Sequence, residues 1–197
     1  MSPRAGLTTA RVVDAAADLA EEIGFDKLTL SAVARRLGVK DPSLYVHIRN
    51  LHDLRVRVAL LASAELNERI GVAVAGRSGQ DALFAFTDAY RAYVLDHPQR
   101  YAATQIRMDP AEVAGEPALL RSIELTTAVL RGYELDEPAA LDAARMLRAT
   151  VHGFATLEAA GGFAHTRSTD SSWPQIRAAL HRVLSDWPAH PGEDHPR

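Results

Sequence analysis

Leu28-Thr29-Leu30-Ser31-Ala32-Val33-Ala34-Arg35-Arg36-Leu37-Gly38-Val39-Lys40-Asp41-Pro42-Ser43-Leu44-Tyr45-Val46-His47 is the stretch on which the reading of this chain turns. Ser31 to Leu37 has helical apolar spacing over about two turns. Gly38 stops it, because glycine enters the left-handed conformation of a tight turn without a Cβ penalty. Asp41-Pro42 restarts a helix: Asp suits the cap and Pro the first helical position. Two short helices joined by a glycine turn form a helix-turn-helix pattern.

The reading extends outward in both directions. Upstream, Val12, Ala16, Leu19, Ala20 and Ile23 predict an amphipathic helix over Thr9–Ile23, capped by Thr8 or Thr9 and ended by Gly24. Downstream, Asn50 and Asp53 resemble a capping arrangement for a helix from Leu51 to about Ala73. Residues 76–79 read as a loop, and Asp81–Leu95 as a helix broken at His97-Pro98. Residues 106–117 hold Pro110, Gly115 and Pro117 and read as irregular. Further helices are predicted over Ala118–Arg131, Pro138 to about Ala160, and Pro174 to about Asp186, before a Pro-, His- and acid-rich tail over 188–197 with a disordered composition. No segment alternates with period two, so the expected fold class is all-α.

Composition bounds the function. The 197 residues carry 22 Lys and Arg against 25 Asp and Glu, a net charge of −3. Up to Val58 nine basic residues face seven acidic ones, or +2, which leaves −5 for the remainder. That asymmetry fits a small DNA-reading head on an acidic body. Cysteine is absent, which excludes disulfides and thiolate metal sites and fits a cytoplasmic protein. No apolar run is long enough for a membrane span. There is no nucleophile-base-orienter set, no Gly-rich phosphate loop and no metal-ligand spacing, so neither catalytic residues, cofactor nor metal is expected. An enzyme or a protein–protein adaptor on an all-α body is the remote rival.

The quoted stretch through Ile48, with Gly24-Phe25 before it and Asp53-Leu54 after it, resembles the DNA-binding domain of the tetracycline-repressor (TetR) family over about residues 6–66. Val151-His152-Gly153-Phe154-Ala155-Thr156-Leu157-Glu158-Ala159-Ala160-Gly161-Gly162-Phe163 is similar to the His-Gly segment of the family's WHG-type C-terminal domain, with Val151 where Trp is usual. The resemblance implies a helix-turn-helix DNA-binding domain over 1–66 and a ligand-binding and dimerisation domain over 67–187. It implies a homodimer whose two heads read half-sites about 34–36 Å apart, or a multiple, on a roughly palindromic double-stranded operator. The resulting reading is a repressor released by a small apolar effector of unknown identity. A transcriptional activator, or a regulator without a ligand, is the runner-up.

Residue roles follow from the same resemblance. Asp41, Pro42 and Ser43 start the recognition helix and face bases, while Tyr45 and His47 match phosphate-contacting positions. Thr29 and Ser31 lie near the start of the preceding helix, where hydroxyls and amides can hold a phosphate. Lys40 and Arg49 are added as flanking cations. Leu51 stands where the family usually carries a phosphate-binding Lys; the contact is either replaced by Arg49 or His52 or absent. In the body, Phe86, Tyr90, Tyr93, Tyr101, Met108, Met146 and Phe154 are candidates for an apolar pocket, with Arg107 and His152 as its polar groups. The apolar stripes from Leu141 to Leu157 and from Ile176 to Trp187 are candidates for the dimer interface.

Overall fold

A computed structural model describes residues 6–188. Its helices are α1 (Thr9–Ile23), α2 (Leu30–Leu37), α3 (Leu51–Val74), α4 (Gly79–Asp96), α5 (Pro98–Ala103), α6 (Pro117–Leu130), α7 (Glu137–Ala159) and α8 (Thr169–Ser185). Two 3-10 helices cover Phe25–Lys27 and Asp41–Val46. No strand occurs among the described residues, and the chain is all-α as its periodicity predicts. The expected tail over 188–197 lies, from residue 189 onward, outside the described residues.

The chain divides into two compact units. The first takes Met1–Asn67 and Asp96–Arg121. Here α1 packs on α2, on α5 and on the Phe25–Lys27 turn, and α2 packs on the Asp41–Val46 helix. The apolar faces read from sequence form its core: Val12, Ala16 and Ala20 of α1 meet Leu28, Val33 and Leu44, all fully buried. Removing such side chains from water contributes about 1.5–3 kcal/mol for each Val or Leu. Ala103 of α5 lies inside the same cluster, and Ile106 and Met108 pack against it. This unit therefore draws on residues well beyond position 66.

The second unit takes Glu68–Leu95 and Ser122–Arg197. Leu83, Tyr93, Leu147, Val151 and Leu184 are its most deeply buried large side chains, and α7 packs on α8. Asp136 caps α7 by accepting from the Ala139 amide at 2.9 Å. Gly132 approaches the backbone of Gly79 so closely that a Cβ there would stand 2.7 Å from the Gly79 nitrogen.

Three elements differ from the sequence expectation. The Asp41–Val46 segment is a 3-10 helix closed by three-residue bonds such as Ser43 N–H to the Lys40 carbonyl and His47 N–H to the Leu44 carbonyl. His97-Pro98 ends one helix and at once begins another, α5, with Pro98 in its first turn. The last helix starts at Thr169, capped by Ser168, so that Pro174 lies inside it.

Candidate nucleic-acid interface

Thr29 is the N-cap of α2, its hydroxyl accepting from the Ala32 amide at 3.2 Å. A hydroxyl that accepts there keeps its own proton to donate outward. At the other end of α2, Gly38 is left-handed at φ 68°. The Val39 amide donates to the Ala34 carbonyl and the Gly38 amide to the Arg35 carbonyl, the paired closure of a Schellman turn. This turn ends α2 and leads into the Asp41–Val46 helix, which packs on α2.

Leu44 roots the second helix in the core at 0% exposure, with Ile48 buried beside it. Around that root, Lys40, Asp41, Pro42, Ser43, Tyr45, Val46 and Arg49 are exposed, and His47 is half-buried. Tyr45 is 58% and Val46 81% exposed. The Ser31 hydroxyl donates to the Asp41 carboxylate, which ties the start of the second helix to α2.

Asp53 supports the far side. Its buried carboxylate accepts from the Arg49 amide at 2.8 Å and from Arg57 Nε at 3.1 Å, while the Asn50 side chain accepts from the Asp53 amide at 2.9 Å. Burial alone would raise the Asp53 carboxyl. The Arg49 amide and the Arg57 charge outweigh it and hold the group below the usual carboxylate range. The start of α3 is thus capped from both directions, as Asn50 and Asp53 suggest in sequence. Arg49 keeps most of its side chain in solvent, with its guanidinium 3.4 Å from the Asp53 carboxylate. His52 instead faces Glu112 at 3.3 Å. Both side chains are thus paired with a carboxylate, Arg49 being the more exposed of the two.

Sequence reading missed the groups that brace this surface from behind. Arg55 of α3 lies 5.7 Å from the Phe25 ring centre and donates to the Asp26 carbonyl at 2.9 Å. Gln99 of α5 accepts from the Phe25 amide at 3.0 Å, and the Arg100 amide donates to Glu21 at 2.7 Å. The Arg100 guanidinium bonds both Asp18 and Glu65. Their separations along the chain, from 29 to 82 residues, leave no local signal.

The nine pocket candidates fall in different units. Tyr101 is buried in the first unit, where Met108 is half-buried against the core cluster and Arg107 is exposed. Phe86, Tyr90, Tyr93, Met146, His152 and Phe154 belong to the second. Within it, Phe86 and Tyr90 are ring neighbours at 6.2 Å, and Tyr93 lies under the Arg69 guanidinium. Burial, helped by the Arg148 charge, lowers the His152 pKa and favours its neutral form. Phe154 joins a cluster that sequence reading did not anticipate. It stands 5.0 Å from both Trp173 and Phe163, with Arg91 over the Phe154 and Trp173 rings. Arg91 bonds Glu158 at 2.5 Å and Asp170 at 2.6 Å, and the Trp173 indole donates to Asp88 at 2.6 Å. No group of three or more His, Asp or Glu that could hold a metal occurs among the described residues.

Residues 12–54 match the family profile described as bacterial regulatory proteins, tetR family. Residues 83–180 match one described as tetracyclin repressor-like, C-terminal domain. The HTH-type transcriptional regulator YobS of Bacillus subtilis (strain 168) is 32% identical over 165 residues, spanning 83% of this chain and 85% of the relative. Among solved structures, BioQ with its natural double-stranded DNA operator superposes with a TM-score of 0.66 at 20% identity, covering 91% of this chain and 99% of that one. A TetR variant from Acinetobacter baumannii AYE in complex with minocycline gives 0.67 at 23% identity, covering 91% and 96%.

Proposed function

The chain belongs to the tetR family of bacterial regulatory proteins, and from that premise we propose that it is a cytoplasmic, homodimeric repressor that leaves its operator when a small apolar ligand binds the body. Membership sets it among transcriptional regulators rather than enzymes.

The observation that carries the DNA-binding half is the exposed rim around Leu44. Pro42, Ser43, Tyr45 and Val46 project from a helix whose only deep anchor is that leucine. Pro42 and Val46 offer apolar contact to thymine methyls, and Ser43 offers a hydroxyl to base edges. Tyr45, His47 and Arg49, with Thr29 at the α2 cap, supply donors for phosphates, which fix register without reading sequence. The BioQ complex with its operator is a precedent for such a fold on DNA.

The dimer reading rests on α7 and α8. Leu141 and Leu157 on the first and Val183 on the second are 45–54% exposed, while Leu147, Val151, Leu180 and Leu184 of the same helices are buried. The residual apolar face suits a second copy, with two helices from each subunit. The ligand reading rests on the second unit's aromatic groups and on the minocycline complex of the Acinetobacter relative. The WHG assignment rests on the Val151–Phe163 resemblance. No helix among the described residues is long and apolar enough to cross a membrane.

Ligand and operator compete through linkage: whatever factor the ligand takes from operator affinity, the operator takes from ligand affinity. A gel-shift titration against the DNA flanking the protein's own gene tests the reading. A shifted band whose affinity falls steeply with salt is expected, and no band at low salt overturns it. Ligands that bind the body yet leave operator affinity unchanged overturn the induction half alone.

A further inference from the structure

We infer that Asp41, held by Ser31, reads a cytosine in each operator half-site. The inference rests on the DNA-binding reading above and adds to it the identity of one base.

The chemistry follows from where one proton goes. Ser31 has a single hydroxyl proton, and it is donated to one oxygen of the Asp41 carboxylate. An ionised carboxylate has no proton to give. The pair therefore presents only acceptors outward: the second Asp41 oxygen and the remaining lone pair of Ser31. Both side chains are exposed. Of the two residues that follow Asp41, Pro42 has no N–H and the Ser43 amide is used by the Lys40 carbonyl.

Major-groove base edges respond differently to an acceptor-only pair. Guanine shows two acceptors, N7 and O6, and thymine shows O4 with its methyl group. Adenine shows an amino donor beside the acceptor N7. Cytosine alone shows a donor, its N4 amino group, with no acceptor beside it. Asp41 thus bonds cytosine and repels the other three to differing degrees. Ser31 fixes which carboxylate oxygen faces the groove and is a positioning residue.

The test is selection of bound duplexes from a randomised pool by the full-length protein, followed by sequencing. Wild type is expected to enrich a symmetric motif with one cytosine column per half-site, favoured roughly tenfold or more over other bases. Asp41→Ala flattens that column and leaves the others. Asp41→Asn, which gains a donor, moves it toward adenine. Ser31→Ala weakens the column, and Ser31→Thr, which keeps the hydroxyl, restores it. An Asp41→Ala motif identical to wild type overturns the inference while leaving DNA binding intact. So does a wild-type motif without an Asp41-sensitive cytosine. A wild-type protein that enriches no sequence at low salt overturns both readings. If the Asp41 variants melt early, the Ser31 pair decides: a cytosine column unaltered in Ser31→Ala then overturns the inference.

Discussion

The helix-turn-helix and the polar cluster around Arg91 are held by opposite kinds of bond. In the first, the decisive contacts are three to five residues long: Thr29 with Ala32, Gly38 and Val39 back to α2, Asn50 with Asp53. In the second, Arg91 reaches Glu158 across 67 residues and Asp170 across 79, and Trp173 reaches Asp88 across 85. Short bonds form as soon as the backbone turns. Long ones pay loop-closure entropy first and exist only once the surrounding helices are in place. The turns and caps of the helix-turn-helix are therefore written into a local code, whereas the Arg91 cluster depends on tertiary agreement.

The largest expected effect challenges the first side of that contrast. Leu44→Ala removes the buried root of the recognition helix and is expected to lower stability by about 2–5 kcal/mol, with loss of the gel shift. Chemical denaturation measures it, and a change under about 1 kcal/mol would mean that local bonds alone hold the helix.

Gly132→Ala probes the body, where a new Cβ must displace the Gly79 backbone. A destabilisation of about 1–3 kcal/mol is expected, read from the shift in thermal midpoint. Full wild-type stability would show that the two segments yield easily.

Glu158→Gln is expected to be comparable or smaller, about 1–3 kcal/mol at neutral pH, and it carries a signature in pH. Arg91 holds the Glu158 carboxyl below its ordinary value, against the opposing effect of burial. A depressed folded-state pKa contributes stability above the unfolded-state value, and that contribution fades as pH falls through the folded one. The gap between wild type and variant should thus close in acid. A gap independent of pH would reassign Glu158 to packing.

Thr29→Ala is the smallest, about 1 kcal/mol for a lost helix cap, together with a weaker operator complex. Thr29→Ser should recover both. Recovery of stability without recovery of affinity would separate the cap from the phosphate contact.

The same contrast explains what was legible in the sequence. Thr9–Ile23 could be read to the residue, because its cap, its stripe and its terminating glycine are adjacent in the chain. Gly38 and the Asn50–Asp53 pair were legible for the same reason, whereas the helix read from Ser31 begins at Leu30 with Thr29 as its cap. The 3-10 form of Asp41–Val46 was not legible, since Asp and Pro suit the first turn of either helix type. The start of α8 was misjudged because Pro174 marks a helix beginning in local terms. The segment before it is tied to α4 through Asp170 and Trp173 and capped by Ser168, so the helix begins at Thr169. The residues proposed to contact DNA were named from family resemblance, Lys40 and Arg49 apart, and all but the half-buried His47 are exposed around Leu44 or at the start of α2. Arg55, Gln99 and Arg100 behind them were not legible, because nothing near them in sequence names their partners.

Gln99 and Arg100 give the regulator an inheritance rule. The reading head borrows a segment encoded far downstream of its helices, so it does not travel as one contiguous stretch of gene. A recombination joint placed after residue 66 would separate Glu21 and Phe25 from the side chains that fit them. A chimera that exchanges operator preference between two relatives should therefore carry both pieces together, or rebuild the Glu21–Arg100 and Phe25–Gln99 matches in the recipient.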